Sequence, residues 1–303
     1  VKREDELGFG ISGTKLRKYL SLLPQILKEK PDEAIVMGSS YSNHVLSISQ
    51  LLRENGIEPI LFLIGDPQSK LQGNLLYSVL FAEPKNIRWV PRDMWNGVEE
   101  MAEAYAQEKG KNHVKVEIVP KGANCTAALP GALTLALDIL RNEEEGGLTF
   151  DHVFIDSGSG MTACALLLAF AFLKKKSFLH IVQVAGTEEE FHALLHERKK
   201  ELEALVGQKV PSPASFKLYR SSTAPSFGSV NAAIFKTIGE MARTEGFLTD
   251  PVFTAKLFIE GKKIIAEQKP EGNILFIHSG GGLGLTGFQE EMAKVVCKNP
   301  YTL

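Results

Sequence analysis

Residues His152-Val-Phe-Ile-Asp-Ser-Gly-Ser-Gly-Met-Thr162-Ala-Cys-Ala-Leu-Leu-Leu-Ala-Phe-Ala-Phe-Leu173 decide the fold. A short apolar run, a turn of small residues and a longer apolar stretch read as strand, loop and helix. The chain returns in Leu179-His-Ile-Val-Gln-Val184, and two strands joined through a helix in this way lie parallel. Ile274-Leu-Phe-Ile-His278 supplies a last strand. Upstream the alternation recurs: Ala34-Ile-Val-Met37, a helix from about Asn43 to Asn55, then Pro59-Ile-Leu-Phe-Leu-Ile64. A helix over Leu71 to Phe81, a strand over Ile87 to Val90, a helix over Val98 to Lys109 and a strand over Lys115 to Val119 follow. The pattern predicts an α/β fold of two open, twisted, mostly parallel sheets with helices on both faces. At 303 residues, two domains sharing one site are expected rather than a single core.

Composition narrows the function classes. Hydrophobic residues make up 44% and charged residues 23%, which suits a chain able to bury a core. A net charge of -2 from 34 basic and 36 acidic residues leaves no overall field to hold nucleic acid. Cys125, Cys164 and Cys297 are widely spaced, so they read as free thiols, with neither a disulfide framework nor a metal site expected. Ala163 to Leu173 spans about half of the ~20 residues that a membrane helix needs, and Lys174 to Lys176 closes it, so a buried helix is expected and no membrane partner. The chain opens on Val1 without a signal-peptide pattern, from which a cytoplasmic location and some missing upstream residues are expected. No internal repeat is visible, and the charged stretch Glu188 to Glu203 reads as a solvated surface helix.

Ligands of open α/β sheets sit at the carboxyl ends of strands, and three loops rich in Gly, Ser and Asn lie there: Gly38 to His44, Asp156 to Thr162 and His278 to Gly284. The second opens a helix, so its backbone N–H groups can cradle a phosphate. It lacks the Lys of a nucleoside-triphosphate loop and the spacing of a dinucleotide loop, which points to one small phosphate. The third is equally a plain strand-to-helix turn. In the first, Ser42, Asn43 and His44 stand at a helix start, where an ordinary cap explains Ser42 or Asn43 as well as a ligand does. Near the N-terminus, Gly13-Thr-Lys15-Leu-Arg-Lys18 places two lysines a helical turn apart. An isolated lysine is usually solvated surface; its other role, Schiff-base formation, needs a lowered pKa beside phosphate-binding groups.

Lys2-Arg-Glu-Asp5, Gly13-Thr-Lys15-Leu-Arg-Lys18, Ser42-Asn-His44, Ser157-Gly-Ser-Gly160 with Thr162, Asp250-Pro-Val-Phe253 and His278-Ser-Gly-Gly281 occur in that order. From end to end the chain resembles the 1-aminocyclopropane-1-carboxylate deaminases and D-cysteine desulfhydrases, fold-type-II pyridoxal-phosphate enzymes related to the tryptophan synthase β chain. The resemblance implies that pyridoxal 5'-phosphate lies in an interdomain cleft, bonded to Lys15, which later moves the substrate α-proton. It implies that Lys18 faces the phosphate, that Gly158, Ser159, Gly160 and Thr162 cradle it, and that Asn43 bonds the pyridoxal 3'-oxygen. Ser42, with the backbone of Asn43 and His44, would receive the substrate carboxylate. Ser279 would meet the pyridine nitrogen, where a hydroxyl leaves that nitrogen largely unprotonated. A homodimer is implied, with a smaller domain over 19–130 and a larger one over 1–18 and 131–303.

The departures concern chemistry. The family's Gly-Asn-Lys is Gly13-Thr14-Lys15 here, its Gln before Ser-Asn is Tyr41, and the second glycine of its phosphate loop is Met161. Two tyrosines that the deaminases hold over the cofactor are Phe227 and Phe253, and a phenylalanine transfers no proton. Thr254 follows Phe253, where the cyclopropane deaminases place glutamate and the desulfhydrases threonine, so the site leans toward the desulfhydrases. The expected function is a lyase or deaminase acting on a small amino acid, like a D-cysteine desulfhydrase, by β-elimination to a 2-oxo acid and ammonia. Cyclopropane-ring opening, and racemisation or elimination on a hydroxy amino acid, are alternatives within the enzymes. A pyridoxal-phosphate-binding protein with little turnover is the alternative that the two phenylalanines favour, and a phosphosugar or mononucleotide binder would leave Lys15 without a task.

Overall fold

The computed structural model describes residues 1–296. Cys297, expected as a free thiol, lies outside them; Cys125 and Cys164 are free. In chain order the elements are β1 (Lys2–Arg3), α1 (Lys15–Glu29), β2 (Glu33–Ser39), α2 (Asn43–Glu54), β3 (Glu58–Ile64), α3 (Gly73–Phe81), β4 (Ile87–Val90), α4 (Val98–Gly110), β5 (Val116–Val119) and α5 (Leu129–Gly146). There follow β6 (His152–Ser157), α6 (Met161–Phe172), β7 (Phe178–Gln183), α7 (Glu188–Val206), β8 (Phe216–Arg220), α8 (Ala232–Glu245), α9 (Thr254–Gln268), β9 (Ile274–His278) and α10 (Gln289–Val296).

Among the described residues two sheets form, of strand order β4-β3-β2-β5 and β1-β9-β6-β7-β8, and every strand pair in them is parallel. Both faces of each sheet are covered, which is why the strands read as unbroken apolar runs. In β2, Ala34 and Val36 enter the main core while Ile35 and Met37 pack with Phe62, Val98 and Ala102 on the other side. In β6, Val153 and Ile155 meet the main core, and Phe154 meets Leu257 of α9. Helix α6 is buried all round from Ala163 to Ala171, packed between α5 and α7. Burying each of its leucines contributes about 1.5–3 kcal/mol, enough to fix the helix whose first turn opens on the site. No helix among the described residues is long and apolar enough to cross a membrane.

The structure departs from the sequence reading in several places. Helix α3 starts at Gly73 rather than Leu71, because Gly73 takes a left-handed φ of 53° that a helix cannot continue through. Helix α7 is not a purely solvated helix: Phe191, Leu195, Arg198 and Leu202 are buried along one face. Strand β1 was not foreseen, since two residues carry no periodicity and the pairing of Lys2 with Ile277 is long-range. Strand β8 alternates apolar and polar residues at the sheet edge.

Candidate functional site

A cavity of about 900 Å³ collects the three loops and the start of α1. Lys15, Lys18, Ser42, Asn43, His44, Gly158, Ser159, Gly160, Thr162, Phe227, Phe253 and Ser279 all line it. The backbone itself joins the first and last of these segments. Gly13 adopts a left-handed φ of 56°, where a Cβ would run into the Ser279 carbonyl. The Thr14 N–H donates to that carbonyl at 2.9 Å, and Gly280, at φ 109°, leaves room for the Gly13 Cα. Lys15 therefore enters the cavity beside Ser279 because two glycines let two backbones touch.

Lys15 is half-buried and its Nζ lies 5.6 Å from the centre of the Phe253 ring. Burial lowers its pKa, against the pull of Asp156 and Asp250, so the amine loses its proton more readily than a surface lysine. Lys18, one turn on, donates from Nζ to the Gly122 carbonyl at 2.6 Å. Burial first, then repulsion from Lys15, brings it down to about 7. Gly122 in turn lies against Ser159, which ties Lys18 to the loop after β6.

That loop meets the N-terminus of α6 at Gly160, whose φ of 85° turns the chain and which offers no side-chain cap. The first N–H groups of α6 are free of a capping side chain and carry the positive end of the helix dipole. Ser157 Oγ, Asn124 Oδ1 and Gln183 Oε1 are buried without a partner among the described residues. A Cβ on Gly158 would stand 2.9 Å from the Phe253 ring. An uncapped helix start, small residues, the buried Lys18 and the half-buried Lys15 fit an anion of phosphate size.

On the opposite wall, Ser42 caps α2, its Oγ accepting from the N–H groups of His44 and Val45 at 3.2 Å each. Asn43 Oδ1 accepts from Asn74 Nδ2 at 2.6 Å, which orients the amide. His44 Nδ1 sits 2.9 Å from the Tyr19 hydroxyl, and its Nε2 is buried without a partner among the described residues. Burial, with Lys18 and Lys15 adding, holds the His44 pKa well below the ordinary range, so the ring is neutral.

Phe227 and Phe253 meet edge to face with centres 6.0 Å apart. Phe253 is held because Asp250 accepts from its N–H and from those of Val252 and Thr254. Phe227 rides a loop stitched to α9 by Lys256, which donates to the Ala224 carbonyl at 2.7 Å, and by Glu260, which accepts from the Ser222 N–H at 2.6 Å.

Asp156, Trp95, Asn124, Gln183 and Glu190 also line the cavity and were not singled out as site residues. Gln183 ends β7 and could have been found by the same strand-end rule as Asp156. Trp95, in a short 3-10 helix over Arg92–Gly97, and Asn124, in a loop, carry no local signal. Among the described residues no three His, Cys, Asp or Glu side chains group to hold a metal ion.

Residues 1–280 match the family of pyridoxal-phosphate dependent enzymes. A putative 1-aminocyclopropane-1-carboxylate deaminase of Pyrococcus abyssi is 28% identical, over 98% of this chain and 88% of the relative. A D-cysteine desulfhydrase of Yersinia enterocolitica is also 28% identical, over 96% and 89%. The crystal structure of an ACC deaminase homologue superposes with a TM-score of 0.84 at 26% identity, covering 97% of this chain and 87% of that one.

Proposed function

The chain belongs to the pyridoxal-phosphate-dependent enzymes, and within that family we propose that it is a lyase or deaminase acting on a small amino acid, in the manner of a D-cysteine desulfhydrase. The observation that carries this reading is the single cavity in which a half-buried Lys15 faces an uncapped helix start and a pair of aromatic rings. Pyridoxal 5'-phosphate fits the wall: an anion-seeking helix terminus, buried polar atoms in want of partners, and glycines where a Cβ would intrude. When bound, the cofactor supplies an electron sink for charge left at the substrate α-carbon.

In this reading Lys15 bonds the cofactor, its lowered pKa favouring the neutral amine that this requires. Gly158, Ser159, Gly160 and Thr162 hold the phosphate with Lys18, Asn43 bonds the 3'-oxygen, and Ser279 meets the ring nitrogen. Ser42, with the backbone of Asn43 and His44, receives the substrate carboxylate, and Phe227 and Phe253 bound the side-chain pocket. Lys15 takes the α-proton, the Cβ–S bond breaks with its electron pair going to sulfur, and water completes release of a 2-oxo acid and ammonia. The smaller domain is placed over 19–130, in keeping with the membership of β2 to β5 in one sheet. A homodimer and a cytoplasmic location complete the proposal.

Borohydride reduction of the holo-protein followed by peptide mass mapping tests the assignment. The phosphopyridoxyl mass belongs on Lys15 and disappears in Lys15→Ala; its appearance on another lysine overturns the reading. A panel of D- and L-amino acids, read as 2-oxo acid and sulfide, tests the reaction, with 1-aminocyclopropane-1-carboxylate as the alternative substrate. A second reading, a pyridoxal-phosphate-binding protein with little turnover, is favoured by one observation: the rings nearest Lys15 on this wall, Phe253 and its neighbour Phe227, carry no hydroxyl. An inert panel with intact cofactor binding would establish it.

A further inference from the structure

The loop after β2 and the start of α3 meet at one side chain. Asn74, in the first turn of α3, is 2% exposed. Its Nδ2 donates to the Tyr41 carbonyl at 2.9 Å and to Asn43 Oδ1 at 2.6 Å, while its Oδ1 is buried without a partner among the described residues. The backbone holds it there: Gly73, at φ 53°, lies so close to Gly287 that a Cβ would stand 3.0 Å from the Gly287 Cα. Asn74 does not line the main cavity; it lines a small adjoining pocket with Tyr41, Asn43 and Phe253.

These two bonds decide which way the Asn43 amide faces. A backbone carbonyl only accepts, so the Asn74 atom that meets Tyr41 is the nitrogen. That nitrogen has two hydrogens, one for each bond, and accepts nothing. Asn43 must therefore turn its oxygen to Asn74 and its nitrogen away. The Asn43 Nδ2 accordingly lies against Gly281, where a Cβ would stand 2.7 Å from it. It donates to no acceptor among the described residues, and Asn43 lines the cavity.

We propose that Asn74 is a positioning residue for the cofactor: by holding the Asn43 oxygen, it commits the Asn43 amide to act as a donor toward the 3'-oxygen. This deepens the reading of Asn43 as the partner of that oxygen and rests on it. Asn43 alone could present either end of its amide. With the amide turned over, two oxygens would face each other, and the site would repel the group it should bind. Asn74 removes that choice before the ligand arrives, so the donor is in place without reorganisation.

The test pairs two ligands without an aldehyde, pyridoxine 5'-phosphate and its 3-deoxy analogue, which lacks only the oxygen in question. Dissociation constants are measured at pH 8, where the carboxyl introduced by Asn74→Asp is ionised and only accepts. Asn74→Asp should weaken pyridoxine 5'-phosphate about 10-fold or more, the scale of one hydrogen bond to a charged group, and the 3-deoxy analogue less than about twofold. On an Asn43→Ala background the same change should cost less than about twofold for either ligand. Equal losses for both ligands, or a full loss that persists without the Asn43 amide, would leave Asn74 a structural role and overturn the proposal. In the wild type, the Asn43 side-chain NH₂ resonances, assigned by their absence in Asn43→Ala, should move downfield with pyridoxine 5'-phosphate and not with the 3-deoxy analogue. Unmoved resonances overturn the proposal even if a variant fails to fold. Wild-type protein that binds neither ligand overturns the cofactor reading as well, whereas wild-type binding with no loss in Asn74→Asp overturns this inference alone.

Discussion

Replacing Lys18 with methionine should weaken phosphate binding by a factor that depends on pH in a defined way. Lys18 is buried, held by the Gly122 carbonyl at 2.6 Å, and lowered to about 7 by burial and by Lys15. A charge-assisted hydrogen bond from its ammonium to phosphate contributes about 1.5–3 kcal/mol, or roughly 10- to 150-fold in affinity. That gain exists only while the lysine holds its proton. With a pKa of about 7, it is roughly 90% protonated at pH 6 and roughly 10% at pH 8. A bound anion raises the pKa, so binding takes up a proton: the extra affinity is fully present below the free-state pKa and is lost as pH climbs above it. An advantage of about 30-fold over Lys18→Met at pH 6 should therefore shrink to about 3- to 4-fold at pH 8. Titration with pyridoxine 5'-phosphate measures this, because it carries the phosphate but no aldehyde, and its own titration cancels in the ratio of the two proteins. A ratio that stays constant from pH 6 to pH 8 would refute the reasoning, showing that Lys18 does not titrate there or does not meet the phosphate.

Restoring hydroxyls in Phe227→Tyr with Phe253→Tyr should raise turnover of D-cysteine by about 100-fold or more if a missing proton donor is the defect; no gain would mean that Tyr41, Thr14 or Met161 has reshaped the pocket for another substrate. Gly131→Ala should lower the melting temperature, at a cost of about 1–3 kcal/mol, because its Cβ would run into the Arg17 carbonyl where α5 crosses α1; an unchanged unfolding midpoint would mean that the crossing relaxes freely. His180, buried against Phe154 with ring centres 4.2 Å apart, is lowered to about 4 by burial and then by His152. The unfolded chain takes up that proton near pH 6.5 and the folded one does not, so stability falls between about pH 7 and pH 4, by up to about 3 kcal/mol from this group. Urea unfolding across that range should show a flatter decline in His180→Phe, and an equal slope would remove His180 from the account.

The sheets were legible from residues 34–37, 59–64, 152–155 and 274–278 because strands covered on both faces must be apolar throughout, and that is a local property of the chain. The glycine-rich loops were legible for a related reason: a strand end, small residues and a helix start are adjacent in sequence, so the proposed phosphate cradle at Gly158 to Thr162 falls within one short segment. Lys15 was legible through the order of motifs around it, since a lysine on its own carries no sign of burial.

What only the tertiary structure decides are the properties that arise between segments. Strand β1 exists because β9 offers it an edge, α7 hides one face because α6 lies beneath it, and Trp95 and Asn124 reach the cavity from segments with no motif. The depressed pKa of Lys18 is set by desolvation and by the nearby Lys15 amine. Even the juxtaposition of Lys15 with Ser279 depends on Gly13 and Gly280 allowing their backbones to touch. Asp156 shows the same division: its place at a strand end follows from the local pattern, while its unpartnered oxygen follows from which side chains the fold brings near it. Burial and hydrogen-bond supply are sums over the whole neighbourhood, and periodicity along one segment does not contain them.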